Sequence, residues 1–248
     1  DSQGTNTSFP SEQTLFQNRI DELIRLYGPL DFRLAEQWTT LGFAQQASGN
    51  HQDAIDSFES ALHVERVHKG LHHTHQTYLL TKLIQSNRAL GAWPAVAQNH
   101  KLLQFINERG RTTGSSDHLK TVKLLALWHM EASELPTGFA PFSHLSSAKE
   151  LIQGALESIE IEDADSTLTS IELLGLLTAI SFRIARHVST WIGDPIHGVT
   201  QDTIVTTSVM DASELAFRQN LIISNYTGGR AALQRALCLL YTSPSPRD

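Results

Sequence analysis

The densest group of side chains that could do chemistry is a run of histidines in the segment HVERVHKGLHHTH. Its members are His63, His68, His72, His73 and His75. Imidazoles at positions i and i+4 of one helix can share a zinc ion. However, Gly70 falls between His68 and His72, and no carboxylate is placed to orient the rings. We interpret the run as a solvated linker and predict no metal site, with adventitious metal binding or a pH-responsive patch as the alternatives.

An acidic segment, ESIEIEDADSTLTSIE over 157–172, resembles the start of a calcium-binding loop. Asp163 and Asp165 have the right spacing, but no glycine stands where such a loop must turn. Leu174 stands where a bidentate glutamate is required. We therefore expect a linker in which Asp165 or Ser166 caps the following helix.

The remaining motifs argue against an enzyme. The segment GGRAAL at 228–233 lacks the lysine and the preceding strand of a phosphate-binding loop. Neither an H-E-x-x-H nor a G-x-S-x-G pattern occurs. We predict no catalytic residues, no cofactor and no enzymatic activity for this chain.

Charge and hydropathy narrow the class of partner. The 248 residues carry a formal net charge of -7, and no basic stripe is present of the kind that nucleic-acid phosphates require. No apolar run reaches the roughly 18 residues that span a bilayer, and LLGLLTAISF at 173–182 is predicted to be a buried helix. We expect a protein or peptide partner, with no nucleic acid and no membrane insertion.

The sequence repeats along the chain, and this repeat predicts the helices that carry the side chains described above. Leu41, Leu83 and Leu125 are spaced by 42 residues. The same spacing separates Phe16 from Phe58, Gly28 from Gly70 and Gly49 from Gly91. Such a period is typical of helical hairpins that stack because none can bury its apolar stripe alone.

One repeat shows how its two helices pair. EQWTTLGFAQQASG at 36–49 has apolar and small residues at helical spacing, and 50–70 continues with a second amphipathic helix. Gly49 provides the turn between them. Small residues at Gly42 and Ala54 allow the two helices to approach closely.

This pattern resembles the tetratricopeptide repeat. The matching residues are Trp38, Leu41, Gly42, Ala54, Phe58 and Ala61, whereas Gln45 replaces the family's tyrosine. The period exceeds the family's usual length of about 34 residues and is similar to that of kinesin light chains. The resemblance implies an all-α fold of antiparallel helical hairpins, stacked into a right-handed solenoid.

The periodicity also predicts boundaries. We expect a disordered tail at 1–10, and repeats over 11–160: a half repeat at 11–28, then 29–70, 71–112 and 113–160. A divergent, truncated helical continuation follows at 165–237, with helices at 167–188, 213–226 and 229–237 and an irregular link at 193–208. A bacterial origin is expected, with an extracytoplasmic location preferred to the cytoplasm.

The last eleven residues, CLLYTSPSPRD at 238–248, resemble the translation of a transposase sequencing adapter. On this interpretation Cys238 is not a nucleophile, and Ser243 and Ser245 are not phosphorylation sites. We expect the native chain to continue differently from about residue 237.

The family resemblance implies that the first helix of each hairpin lines a concave groove that holds a peptide or a partner helix. The corresponding residues are Glu36, Thr39, Phe43, Gln46, Tyr78, Thr81, Gln85, Arg88, Lys120, Lys123, Leu127 and Met130. Aromatic anchors and three cations at one end favour a ligand with an acidic end. The family's carboxylate clamp is not predicted, because Thr39 and Phe43 replace its lysine and asparagine.

The function that these patterns predict is that of a non-catalytic interaction scaffold. The alternative is the targeting or regulatory arm of a larger enzyme whose catalytic domain lies outside this chain.

Overall fold

The computed structural model describes residues 12–109, 114–135, 140–159, 164–190 and 212–242. Within these ranges the chain forms α1 (Glu12–Tyr27), α2 (Arg33–Ala47), α3 (His51–Lys69), α4 (Gln76–Ala89), α5 (Trp93–Arg109), α6 (Ser116–Ala132), α7 (Pro141–Ser158), α8 (Ala164–Thr190) and α9 (Ala212–Thr242), and no strand. The predicted all-α class is confirmed. The tail predicted at 1–10 and the link at 193–208 lie outside the described residues.

The chain divides into two compact units, residues 1–111 and 112–248. In the first unit α1 packs against α2, α2 against α3, α3 against α4, and α4 against α5. Gly28, Gly49, Gly70 and Gly91 follow successive helices at intervals of 21 residues, and all have positive φ, between 68° and 93°. This backbone conformation strains any residue that has a Cβ, so each reversal of the chain needs a glycine.

Burial follows the predicted period. Leu41 and Leu83 in the first unit and Leu125 in the second are almost completely buried at equivalent places in α2, α4 and α6. Three pairs of second-helix positions share this burial: Ala54 and Ala148, Phe58 and Ile152, and Ala61 and Ala155. The 42-residue period therefore marks positions at which each hairpin buries its apolar face.

The closest approach in the first hairpin lies between Gly42 of α2 and the ring of Phe58 of α3. A Cβ built on Gly42 would lie 2.7 Å from the Phe58 ring. Phe58 is fully buried, and the Phe43 ring packs edge-on against it with centroids 5.5 Å apart. The Phe58 ring has little room to move, so Gly42 sets how closely α2 and α3 can approach.

Gln45, which stands where the tetratricopeptide pattern has a tyrosine, makes a hydrogen bond between α2 and α3. The Ser57 hydroxyl of α3 donates a hydrogen bond to Gln45 Oε1 of α2 at 2.7 Å. Ser57 is buried, so this bond satisfies a hydroxyl that would otherwise lose its water without a replacement. A polar tie between the two helices thus stands where the family has an aromatic contact.

The second unit packs α6 against α7, α7 against α8 and α8 against α9, and α6 also contacts α8. Its main apolar cluster includes Val122 and Ala126 of α6, Leu145 of α7, and Leu173 and Ile180 of α8. The unit is therefore organised around α8, which contacts each of the other three helices.

The prediction of separate helices at 213–226 and 229–237 is wrong, because α9 is continuous from Ala212 to Thr242. Gly228 and Gly229 lie in its interior. A Cβ on Gly229 would come within 3.1 Å of the Ser181 Cβ and 3.3 Å of the Phe182 ring of α8. Gly229 therefore allows α9 to approach α8 closely and does not end a helix.

Helix α8 corrects two other expectations. It begins at Ala164, so Asp165 and Ser166 lie in its first turn and not at the cap position. By length and composition its stretch Asp165–Thr190 is long and apolar enough to cross a membrane. This differs from the expectation, from the sequence, that no apolar run is long enough to span a bilayer. The segment 173–182 is nevertheless a packed helix as predicted, with Leu173, Leu174 and Ile180 buried.

The contact between Gly42 and Phe58 predicts the effect of adding one methyl group. We expect Gly42→Ala to destabilise the protein by about 1–2 kcal/mol, because overpacking outweighs the better helix propensity of alanine. Gly154→Ala in α7 is the control: no atom lies within 4 Å of its Cβ. That substitution should stabilise by up to about 1 kcal/mol. Urea unfolding measures both, and a neutral or stabilising Gly42→Ala would contradict the assignment.

Candidate functional site

An exposed aromatic pair stands where α2 and α4 come side by side in the first unit. The ring centroids of Phe43 and Tyr78 are 5.7 Å apart. Phe43 is half-buried against Phe58, whereas Tyr78 is 54% exposed. One ring is therefore held by the core, and the second extends the apolar surface towards solvent.

Lys82 completes this surface, which we name the aromatic platform: Phe43, Tyr78 and Lys82. The Lys82 ammonium lies 5.2 Å from the Phe43 ring centroid and 5.7 Å from that of Tyr78. A cation over aromatic faces at these distances is attracted by the ring quadrupole. Lys82 was missed by the sequence prediction. Its spacing of four residues from Tyr78 on one helix was the signal that could have found it.

Several of the predicted groove residues make hydrogen bonds within the protein. Gln46 Nε2 donates to Ser86 Oγ at 2.8 Å and to the Lys82 carbonyl at 3.3 Å, which ties α2 to α4. The Thr39 and Thr81 hydroxyls each donate to a carbonyl one turn earlier in their own helices. Gln46 thus connects the two helices that carry the platform, whereas the two threonine hydroxyls are bonded within their own helices.

The other predicted residues of α2 and α4 are exposed. They are Glu36, Gln85 and Arg88. Gln85 accepts a hydrogen bond from Lys82 Nζ at 3.3 Å. The first unit thus presents an apolar pair flanked by polar and charged groups.

The predicted groove residues of α6 lie in the second unit and differ in their exposure and in their ion pairs. Lys120 pairs with Asp117 at 3.4 Å, and Lys123 pairs with Glu172 of α8 at 2.6 Å. Leu127 is exposed. The assignment of Met130 to a groove is wrong, because it is only 8% exposed and belongs to the apolar cluster that α6 forms with α7 and α8.

The histidine run extends from α3, which contains His63 and His68, into the exposed connection to α4, and its rings face different neighbours. His68 Nε2 meets the Leu30 carbonyl at 2.5 Å, and His72 packs on Phe105 with centroids 4.7 Å apart. His73 and His75 contact each other, also at 4.7 Å. In the part of the chain that the structure describes, no three histidine, cysteine or acidic side chains are grouped so as to hold a metal ion.

A histidine pair that the sequence did not reveal joins α6 to α7. His129 Nδ1 and His144 Nδ1 are 2.8 Å apart. Only one of two nitrogens at this distance can carry the hydrogen between them, so the contact requires a neutral acceptor ring. Burial, together with the positive charge of His144, lowers the pKa of His129 to about 4.

Comparison with known proteins adds little to this geometry. No protein-family model matches the chain. No curated protein matches it either. Among solved structures the chain is similar to BtubC (BKLC) from P. vanneervenii, with 15% identity, 95% of this chain and 94% of that chain covered, and a TM-score of 0.46. Such a score and identity transfer nothing about function.

The histidine pair predicts a loss of stability in acid. The folded-state pKa of His129 is about 4, below its usual 6.5. The unfolded chain therefore binds the proton first, so stability is complete above pH 6.5 and falls as the pH drops towards 4. We expect the wild type to lose up to about 3 kcal/mol more than His129→Gln between neutral pH and pH 4.

Urea unfolding across this pH range measures the difference. His72→Gln, which removes an exposed histidine, is the matched control and should retain the wild-type dependence on pH. Parallel curves for the wild type and His129→Gln would show that the pair does not resist protonation.

Proposed function

We propose that the chain is a non-catalytic interaction scaffold, and that it binds a peptide or a partner helix on the α2–α4 face of the first unit. The observation that carries the proposal is the aromatic platform. An exposed tyrosine and a core-anchored phenylalanine lie side by side with a cation over both rings. Aromatic side chains on a rigid support are the residues that most often dominate the energy of protein interfaces.

Rigidity favours this surface as an anchor. Phe43 rests on the buried Phe58, and Gln46 fixes α2 to α4 through the buried Ser86. Few side-chain rotamers therefore have to be ordered when a ligand binds, which lowers the entropic cost of association.

Charge favours a ligand that carries a carboxylate beside an apolar side chain. We first expected this preference from Arg88, Lys120 and Lys123, but acidic neighbours pair with the two lysines. Lys82 has a neutral amide, Gln85, and two aromatic rings as its neighbours. Its charge is therefore the one we assign to a ligand carboxylate.

The experiment is a selection of peptides from a random display library on the immobilised chain, followed by affinity measurement by fluorescence anisotropy. Tyr78→Ala removes the exposed ring, and Lys82→Met removes the charge while retaining most of the volume. Each should weaken the selected peptides about tenfold, equivalent to about 1.4 kcal/mol.

Two control substitutions match these changes away from the platform. Tyr226→Ala removes a tyrosine of similar exposure from α9, and Lys101→Met removes an exposed lysine from α5. Both should leave affinity unchanged. Peptides that bind Tyr78→Ala and Lys82→Met as tightly as the wild type would exclude the platform as the binding surface.

A further inference from the structure

A lysine of the second unit faces a small cavity with mostly uncharged walls. Lys149 of α7 lines a cavity of about 230 Å³ between α7, α8 and α9. The remaining lining residues are Phe142, Ser146, Glu150, Gln153, Ile184, Leu221 and Asn225. Three of the four helices of this unit thus contribute to the surroundings of one amine.

The partner of Lys149 is a neutral amide. Lys149 Nζ donates to Asn225 Oδ1 at 2.8 Å. Asn225 is only 2% exposed, and its Nδ2 donates to the Leu221 carbonyl at 2.8 Å, so its own helix turns the amide oxygen towards the lysine. An oriented acceptor therefore fixes the position of the amine without neutralising a charge.

Three other lysines of the described chain lie beside carboxylates. Lys69 lies 3.0 Å from Glu65, Lys120 lies 3.4 Å from Asp117, and Lys123 lies 2.6 Å from Glu172. Lys149 makes no such ion pair with any residue that the structure describes. A carboxylate stabilises the ammonium form, which has no lone pair to react with, so its absence favours the amine.

Electrostatics agree with the geometry. Burial lowers the pKa of Lys149. Glu150, the next residue of α7, is the other charged group that lines the cavity, whereas α8 and α9 contribute Ile184, Leu221 and Asn225, all uncharged. More of this amine is therefore unprotonated at neutral pH than is the case for an ordinary surface lysine.

We propose that Lys149 is a covalent attachment site for a small aldehyde with an apolar body. The Nζ lone pair attacks the carbonyl carbon and forms a C–N bond, and a proton passes from nitrogen to oxygen to give a carbinolamine. Loss of water then breaks the C–O bond and leaves an imine, which hydrolysis reverses. Phe142, Ile184 and Leu221 supply the apolar walls for the body of the aldehyde.

The test treats the full chain with benzaldehyde, reduces the imines with cyanoborohydride, and ranks the lysines by peptide mass spectrometry. Lys149 should be modified faster than the exposed Lys101 and Lys120, with the largest advantage at neutral pH. Glyoxylate, a charged aldehyde without an apolar body, should show no preference for Lys149. Lys149→Arg should remove the benzaldehyde adduct from that peptide alone.

Asn225→Asp tests the role of the neutral partner. A carboxylate of nearly the same shape stabilises the ammonium form, so labelling of Lys149 should fall at neutral pH and recover in alkali, with the other lysines unchanged. Labelling of Lys149 no faster than Lys101, or an unaltered pH profile in Asn225→Asp, would overturn the proposal. If circular dichroism shows that Asn225→Asp does not fold, the wild-type ranking and its pH profile decide.

Discussion

The close approach of Gly42 to the Phe58 ring is the contact on which the first unit depends. Without a Cβ at Gly42 the ring lies directly against the α2 backbone, which fixes the separation of α2 and α3. Phe43, the next residue, packs edge-on against the same ring and is thereby held at the surface. Tyr78 then packs on Phe43. Through these successive contacts, the positions of the two platform rings depend on Gly42.

Hydrogen bonds between polar side chains complement this packing, both within a hairpin and between hairpins. Gln45 binds Ser57 across the α2–α3 hairpin, and Gln46 binds Ser86 across α2 and α4. Both serines are buried, so loss of either glutamine would leave a hydroxyl without its partner at a cost of about 1–3 kcal/mol. These bonds specify how the helices slide and rotate against each other, which apolar contacts alone leave less defined.

The sequence predicted those features that depend on a helix and its nearest neighbour. The leucines of the 42-residue period are buried at equivalent places in α2, α4 and α6, and glycine recurs because each chain reversal needs positive φ. Met130 was misassigned because it is buried in an apolar cluster that includes residues of α8, a helix outside the repeat pattern. Lys82 escaped notice although it lies four residues after Tyr78 on the same helix, because the other ring that it contacts, Phe43, belongs to α2. The pair of His129 and His144 joins two helices, and no local spacing encodes such a meeting.

Lys82 of the first unit differs in its neighbours from two cations of the second unit, and this difference bears on where recognition would occur. In the second unit Lys123 lies against Glu172 and Arg183 against Glu134, so the field of each cation is cancelled by its neighbour. In the first unit Lys82 lies over two aromatic rings, which attract a cation but carry no net charge. A ligand carboxylate approaching Lys82 would not have to displace an existing ion pair, whereas one approaching Lys123 would. These neighbours favour the platform as the place where the proposed acidic ligand would bind, since a new ion pair contributes most where none must be broken.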